Sequence, residues 1–406
     1  MTPYLIELPY SKSISNRILI VQALSGNAIE VSGLSDSTDT TRLAAILNSD
    51  DKLIDAGDGG TTFRFLLPFL CLKDGIFLLT GTNRMQQRPI AELVDSLRKL
   101  GAKIEYEATV GFPPLKIFGG NLQGGAVEVD VSRSSQFATA LLLIAPFLPM
   151  GLKLTMKGEI VSSSYIDMTL NLMSRVGISF INHGNSIEVP AQKISQVSIA
   201  VERDWSSAAF WYLLVAVYRG KQVRMNGLVA TGIQGDEVAA ELFSQLDVVT
   251  RFEDSATLIS TIGSYLSKDV IEFDLKSTPD LAPALMAACF ALKQPARFTG
   301  IAHLRFKESD RLKVLQTIFT SAGAKVEVDD NIFQLLQFPI EFSSVDVNPS
   351  DDHRIAMTFG MLAAAGFPFR IAHPEVVGKS YPNFWSQLSE LGCIIPFIES
   401  SSEAEN

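Results

Sequence analysis

The chain runs to 406 residues, more than one ordinary hydrophobic core can serve and enough for two large domains. Its composition, 47% hydrophobic and 19% charged, is that of a globular protein. A net charge of −10 argues against a nucleic-acid or anionic-membrane partner, which demands a basic face, yet leaves room for small anionic substrates if the cations cluster.

The opening MTPYLIELPYSKS has no basic region ahead of an apolar one and predicts no secretory signal. SKSISNRILIVQAL (11–24) predicts a helix with a polar start, and TTRLAAILNSDDKLI (40–54) a second helix running into a strand. GDGGTTFRFL starts an apolar helix at Thr61, and LRKLGAKIEY (97–106) is a helix closed by Gly101 and followed by a short strand. Ser134-Ser135-Gln136 opens the apolar stretch Phe137 to Met150, which is short of the roughly 18 residues of a membrane span. Interrupted by Pro146 and Pro149, it predicts a buried helix ending at a turn. LMSRVGISFI (172–181) repeats the pattern of helix, Gly177 and strand. Further helices start at Asp204, Asp280 and Asp352, and their partners close at Asp247, Gly323 and Gly392. The last residues, ESSSEAEN, read as a disordered tail. Cys71, Cys289 and Cys393 lie far apart among apolar neighbours and read as core residues, and no two of the four histidines have metal-ligand spacing. The expected location is the cytoplasm.

The turn residues recur at a step of roughly 70 residues, and the helix starts keep the same step independently. Two series in one rhythm point to internal duplication: about six copies of strand, helix, strand, helix, strand, the first of them shortened. A helix start exposes unpaired N–H groups and the positive end of the helix dipole, which favour anions. Capping explains the Ser, Thr and Asp at these starts. It does not explain Lys12, Arg17, Arg64, Arg88, Lys307, Arg311, Arg354 and Lys379 beside turns and helix starts. An acidic protein that gathers cations there is building anion sites. In KESDR, Lys307 and Arg311 are four apart and are expected on one helix face.

The run LPYSKSISNR resembles the LPGSKSxSNR signature of the 5-enolpyruvylshikimate-3-phosphate synthases. GDGGTTFRFL, TNRMQQRPI, SSQFATALL, VSSSYIDMTL, Gln234-Gly235-Asp236, PDLAPAL, RFKESDR, DDHRIAM and KSYPNFW follow in the family's order, from residue 8 to about 385. The resemblance implies an α/β (α+β) fold of two domains, each of three βαβαββ repeats, with the active site in the interdomain cleft. Residues 1–10 and 201–406 would form one domain and 11–200 the other, with the two crossings acting as hinges. It also implies the substrates, phosphoenolpyruvate and shikimate 3-phosphate, and an addition–elimination reaction that demands no metal or redox cofactor. No nucleic acid, membrane or second chain is expected as a partner, the protein being read as a monomer.

Residue by residue, the resemblance places the base at the acceptor hydroxyl on Asp280 and the proton relay to the methylene on Glu308, with Lys307, Lys12 and His353 beside the chemistry. It gives phosphoenolpyruvate to Lys12, Gly60, Arg88 and Gln136, together with Arg311, Arg354 and Lys379. Shikimate 3-phosphate falls to Lys12, Ser13, Arg17, Ser134, Ser135 and Gln136, with Ser162 and Tyr165, and on the other side to Asp280, His303 and Lys307. Gly60 beside the phosphoenolpyruvate site implies sensitivity to glyphosate, a phosphonate that takes that site.

The sequence departs from the family pattern at several points. Tyr10 stands where LPGSKS has Gly, Asp58 where Asn is common, and His303 where Asn usually contacts the acceptor. Asp351 replaces another Asn, and Ser163-Ser164 replace a basic residue and Pro beside Tyr165. Two other readings stay open here. The sibling UDP-N-acetylglucosamine enolpyruvyl transferases share the fold but use a loop cysteine and an N-terminal Lys-Asn pair. This chain has Lys12-Ser13 and no cysteine between Cys71 and Cys289. A binding protein of the same fold that has lost catalysis would not need Asp280, Glu308 and Lys307, although Asp58 and His303 suit it.

Overall fold

The five turn residues that close the predicted helices all stand in the left-handed region: Gly101 at φ +105°, Gly177 at +80°, Asp247 at +63°, Gly323 at +101° and Gly392 at +76°. Glycine takes this conformation at no steric cost and so ends a helix cleanly. Asp247 carries a side chain there, at a cost of about 1 kcal/mol, and its carboxylate accepts a hydrogen bond from Arg219 at 3.4 Å.

Described in a computed structural model over residues 2–263 and 269–398, the chain builds around these turns four sheets of one topology. The ESSSEAEN tail lies outside the described residues. Leu53–Asp55 pairs parallel with Ile76–Thr80, which pairs antiparallel with Leu115–Phe118, and Lys103–Tyr106 closes the edge. The sheets begun by Gly125–Asp130, Tyr4–Glu7 and Ile271–Asp274 repeat that order of two parallel strands followed by an antiparallel hairpin. Two further copies keep only the parallel pair, Val197–Ala200 with Ile29–Ser32 and Val345–Val347 with Phe369–Ile371. A parallel pair needs a long crossover: a helix provides it in three of the complete copies, whereas between Tyr4–Glu7 and Gln222–Asn226 the chain passes through the whole of Tyr10–Glu202 before the helix Trp205–Val217.

The chain divides into two units, one of Met1–Pro9 with Arg203–Asn406 and one of Tyr10–Glu202. Each holds two four-stranded sheets and one parallel pair, that is, three copies of the repeat. Within Tyr10–Glu202, the helices Lys12–Leu24, Gly60–Leu72 and Gln136–Ile144 pack on one another. In the other unit Trp205–Val217, Ala282–Ala291 and His353–Ala364 do the same. These six helices are buried almost all round, which explains why their sequences are apolar without a polar face. Phe137 to Met150 is accordingly a core helix that ends in the 3-10 turn Ala145–Phe147. Among the described residues no helix is long and apolar enough to cross a membrane. Cys71 and Cys289 are buried free thiols, and burial pushes both up from the ordinary thiol range. Cys393 is a free, half-buried thiol.

Candidate active site

In the unit Tyr10–Glu202 the inner helices meet at their starts, and the polar residues there bind one another. Ser11 caps the first helix by accepting the Ile14 N–H, and Lys12, its first residue, donates to Asp39 at 3.1 Å. Arg17, one turn on, is 2% exposed and donates to Thr169 Oγ1 at 2.9 Å, to the Ser13 carbonyl at 2.7 Å and to the Tyr165 carbonyl at 3.2 Å. Its guanidinium also lies over the rings of Phe65 and Tyr165. Burial pulls its pKa down to about 10, which leaves it charged at neutral pH. Gly60 opens the second helix without a side-chain cap. A Cβ at Gly60 would stand 2.5 Å from Arg88 Nη1 and 2.8 Å from Arg64 Nη1, so glycine lets two guanidiniums lie against this helix start. Arg64 Nη1 donates to Gln136 Oε1 at 2.8 Å, and Gln136 Nε2 donates to Thr61 Oγ1 at 3.3 Å.

The third helix of this unit also lacks a side-chain cap at Ser135; Ser134 Oγ accepts the Gln136 N–H at 3.3 Å. Ser162 precedes helix Ser163–Arg175 in the left-handed conformation, φ 55°, again without a cap bond. A non-glycine residue held there costs on the order of 1 kcal/mol and is common at ligand clamps. Uncapped helix starts ringed by Ser hydroxyls and buried arginines are suited to a phosphate.

The other unit gathers acids around two arginines. Arg311 is 1% exposed. Its Nε donates to Asp352 at 2.8 Å, Nη1 to Asp280 at 3.0 Å, and Nη2 to Glu308 at 2.7 Å and to the second Asp352 oxygen at 3.4 Å. Burial opposes its charge, but Asp352, Glu308 and Asp280 outweigh it and raise the pKa above the ordinary value. Arg354 Nη2 donates to the other Asp280 oxygen at 2.8 Å. Asp280 lies in the 3-10 turn Pro279–Leu281, whose N-cap is Thr278, and the following helix Ala282–Ala291 has Leu281 at its N-cap, so Asp280 is not itself an N-cap. Asp352 is one, accepting the Arg354 N–H while it holds Arg311. His353 is buried in the first turn behind it, and Lys379 ends the half-buried turn Pro374–Lys379.

Lys307 and Arg311 do not share a helix turn, contrary to the expectation from their spacing. Asp310 caps the helix Arg311–Ser321 by accepting the Lys313 N–H, and Lys307 lies before it in extended backbone after the turn Ala302–Phe306. Three departures have local accommodation. Tyr10 packs on Gly33, where a Cβ would come to 2.7 Å of its ring. Asp58 accepts a hydrogen bond from Thr82. His303 is buried, and burial together with Lys307 pulls its pKa down to about 3, so it is neutral at physiological pH.

Sequence reasoning missed Asp39, whose partner Lys12 is 27 residues away, and the role of Asp352 as the anchor of Arg311. Locally both look like helix-start residues, and only the fold brings them to their cations. It also gave no role to Asp236, which is buried and receives the Ser206 hydroxyl.

The family model for EPSP synthase (3-phosphoshikimate 1-carboxyvinyltransferase) matches residues 46–388. The chain is 39% identical over 390 residues to the 3-phosphoshikimate 1-carboxyvinyltransferase of Bacteroides fragilis strain YCH46, covering 95% of each chain. With the enzyme of that name from Shewanella sp. strain ANA-3 it is 34% identical over 415 residues, covering 95% of this chain and 96% of the other. Its fold is that of EPSP synthase from Acinetobacter baumannii, with a TM-score of 0.72 at 22% identity over 96% of both chains. The enolpyruvyl transferase NikO from Streptomyces tendae matches with a TM-score of 0.70 at 15% identity over 96% and 95%. With the model matching most of the chain and the Bacteroides relative close over nearly all of it, the chain belongs to the EPSP synthase (3-phosphoshikimate 1-carboxyvinyltransferase) family.

Proposed function

We propose that this chain transfers the enolpyruvyl group of phosphoenolpyruvate to the 5-hydroxyl of shikimate 3-phosphate and releases phosphate, a step of the shikimate pathway towards chorismate and the aromatic amino acids. The observation that carries the reading is the pair of carboxylates, Asp280 and Glu308, gathered on Arg311 with Arg354 against the same Asp280. The reaction needs one carboxylate to take the hydroxyl proton and one acid to protonate the methylene carbon of phosphoenolpyruvate. Attack of the oxygen on the resulting centre gives a tetrahedral intermediate; loss of a methyl proton then expels phosphate and restores the enol. Asp280 serves the hydroxyl and Glu308, with Lys307 beside it, the methylene.

Arginine has five N–H groups. Arg311 commits four of its own to Asp280, Glu308 and Asp352, so it positions the acids more than it holds substrate. Arg354, Lys379, Arg88, Lys12 and Gln136 then carry more of the binding of phosphoenolpyruvate, with Gly60 giving the guanidiniums room. Arg17, Ser13, Ser134, Ser135, Ser162 and Tyr165 form the shikimate 3-phosphate site, to which His303 adds a neutral imidazole. A carboxylate held by two guanidiniums is a poor base. Phosphoenolpyruvate, by drawing Arg354 to its own anionic groups, frees Asp280 for the proton. Supplying purified protein and phosphoenolpyruvate with either shikimate 3-phosphate or UDP-N-acetylglucosamine tests the acceptor. Product from the first alone is expected; product from the second would move the chain to the sibling reaction.

A further inference from the structure

The proposed reaction gives no task to Asp236, the buried acid of the Gln234-Gly235-Asp236 motif. It is 5% exposed, in the 3-10 turn Gly235–Val238, and the Ser206 hydroxyl donates to its Oδ2. Ser206 lies in the first turn of helix Trp205–Val217, which packs on both the turn of Asp236 and the turn Pro279–Leu281 that carries Asp280. The charged groups that act on Asp236 are Asp280 from the turn Pro279–Leu281, Arg354 from helix His353–Ala364, which also packs on Trp205–Val217, and Asp204, the cap of Trp205–Val217. Gln234 needs no catalytic explanation: it accepts the Trp205 N–H at 3.0 Å and donates to the Arg203 carbonyl at 2.7 Å, securing the same helix start.

We propose that Asp236 is a positioning residue for the reacting carboxylate: anchored by Ser206, its buried negative charge counters the field of Arg354 and Arg311 and keeps Asp280 able to take a proton. This rests on the functional reading above. Two arginines on Asp280 make it a stable carboxylate and a reluctant base. A second negative charge nearby, in a medium too dry to screen it, restores proton affinity. Burial, with Asp280 next, pushes the carboxyl of Asp236 up to about 7, against the opposing pull of Ser206 and Arg354. The counter-charge is therefore present above neutrality and absent below it, and it makes Asp280 a pH-gated base.

The test compares wild type with Asp236→Asn, which keeps an oxygen for the Ser206 hydroxyl and removes the charge. Wild-type kcat should rise through about pH 7. In Asp236→Asn that inflection should vanish, leaving kcat about tenfold lower at pH 8, the worth of one unit of proton affinity, with KM for phosphoenolpyruvate within about twofold. Ser206→Ala, which removes a hydrogen bond to the charged form, should keep the inflection and move it to higher pH.

Stability supplies a readout apart from activity. A carboxyl with a raised native pKa binds its proton in the folded state when the unfolded chain has released it, so stability falls as pH rises from about 4 to about 7. Wild-type Tm should decline over that window more steeply than that of Asp236→Asn. Equal slopes together with an inflection that survives in Asp236→Asn would overturn the inference alone. An inactive wild type would overturn the functional reading, and this inference with it.

Discussion

Arg311 and Arg354 look alike in the sequence, each a basic residue in the first turn of a helix. Their surroundings separate them. Arg311 is walled in by three carboxylates, and removing it would leave Asp352, which is fully buried, without its cation. Breaking such a pair from one side costs about 3–5 kcal/mol. Arg311→Met should therefore lower stability by about that much in urea unfolding as well as abolish turnover. Arg354 pairs with Asp280, whose side chain is 15% exposed and is held by Arg311 as well. Arg354→Ala should leave stability nearly intact and raise KM for phosphoenolpyruvate about 10- to 100-fold, the loss of one charge-assisted hydrogen bond. Equal effects of the two substitutions on stability would refute this division. The sequence motifs identified both arginines. They could not tell support from contact, because that distinction lies in partners 31 to 74 residues away.

At the scale of elements, helix starts were the most legible part of the chain, since Ser, Thr, Asp and Gly before an apolar run are local signals. The structure adds a distinction that capping residues alone do not reveal. Helices begun by Ser11, Asp204, Asp310 and Asp352 are closed by their own side chains, whereas those begun at Gly59, Ser135 and Ser162 are not. Ala282–Ala291 of the other unit also starts without a side-chain cap, but these three uncapped starts lie in the unit Tyr10–Glu202, beside its serines and arginines. Gly60 is the narrowest point there. In Gly60→Ala the new methyl must displace the ends of Arg88 and Arg64, which are flexible and can give way. Folding should be unharmed, because alanine suits a helix better than glycine. KM for phosphoenolpyruvate should rise about tenfold with the displaced guanidiniums, and inhibition by glyphosate should weaken with it. Unchanged values for both would remove Gly60 from the site. The spacing argument for Lys307 and Arg311 failed at this same scale, because Asp310 starts the helix later than the charge pattern suggests.

The whole molecule is a repeat read six times, and most of it was visible as a rhythm of turn residues. That rhythm did not show the joins, for which the sequence offered only the family resemblance. The sheet that begins with Tyr4–Glu7 is completed by strands from residue 222 onward, and Ile29–Ser32 pairs with Val197–Ala200. Parallel pairing between segments so distant in sequence leaves no periodicity to find, only an apparently shortened first copy. The two units share one architecture but differ in their polar groups: buried cations and Ser hydroxyls at helix starts in one, carboxylates on arginines in the other. The reaction proposed above draws on both sets. The most direct measurement is phosphate release by purified protein given phosphoenolpyruvate and shikimate 3-phosphate, each omitted in turn, with Asp280→Ala alongside. Release that requires both substrates and falls at least about a hundredfold in Asp280→Ala, the worth of a general base, is the predicted result. No release from the wild type, or full activity in Asp280→Ala, would contradict the account.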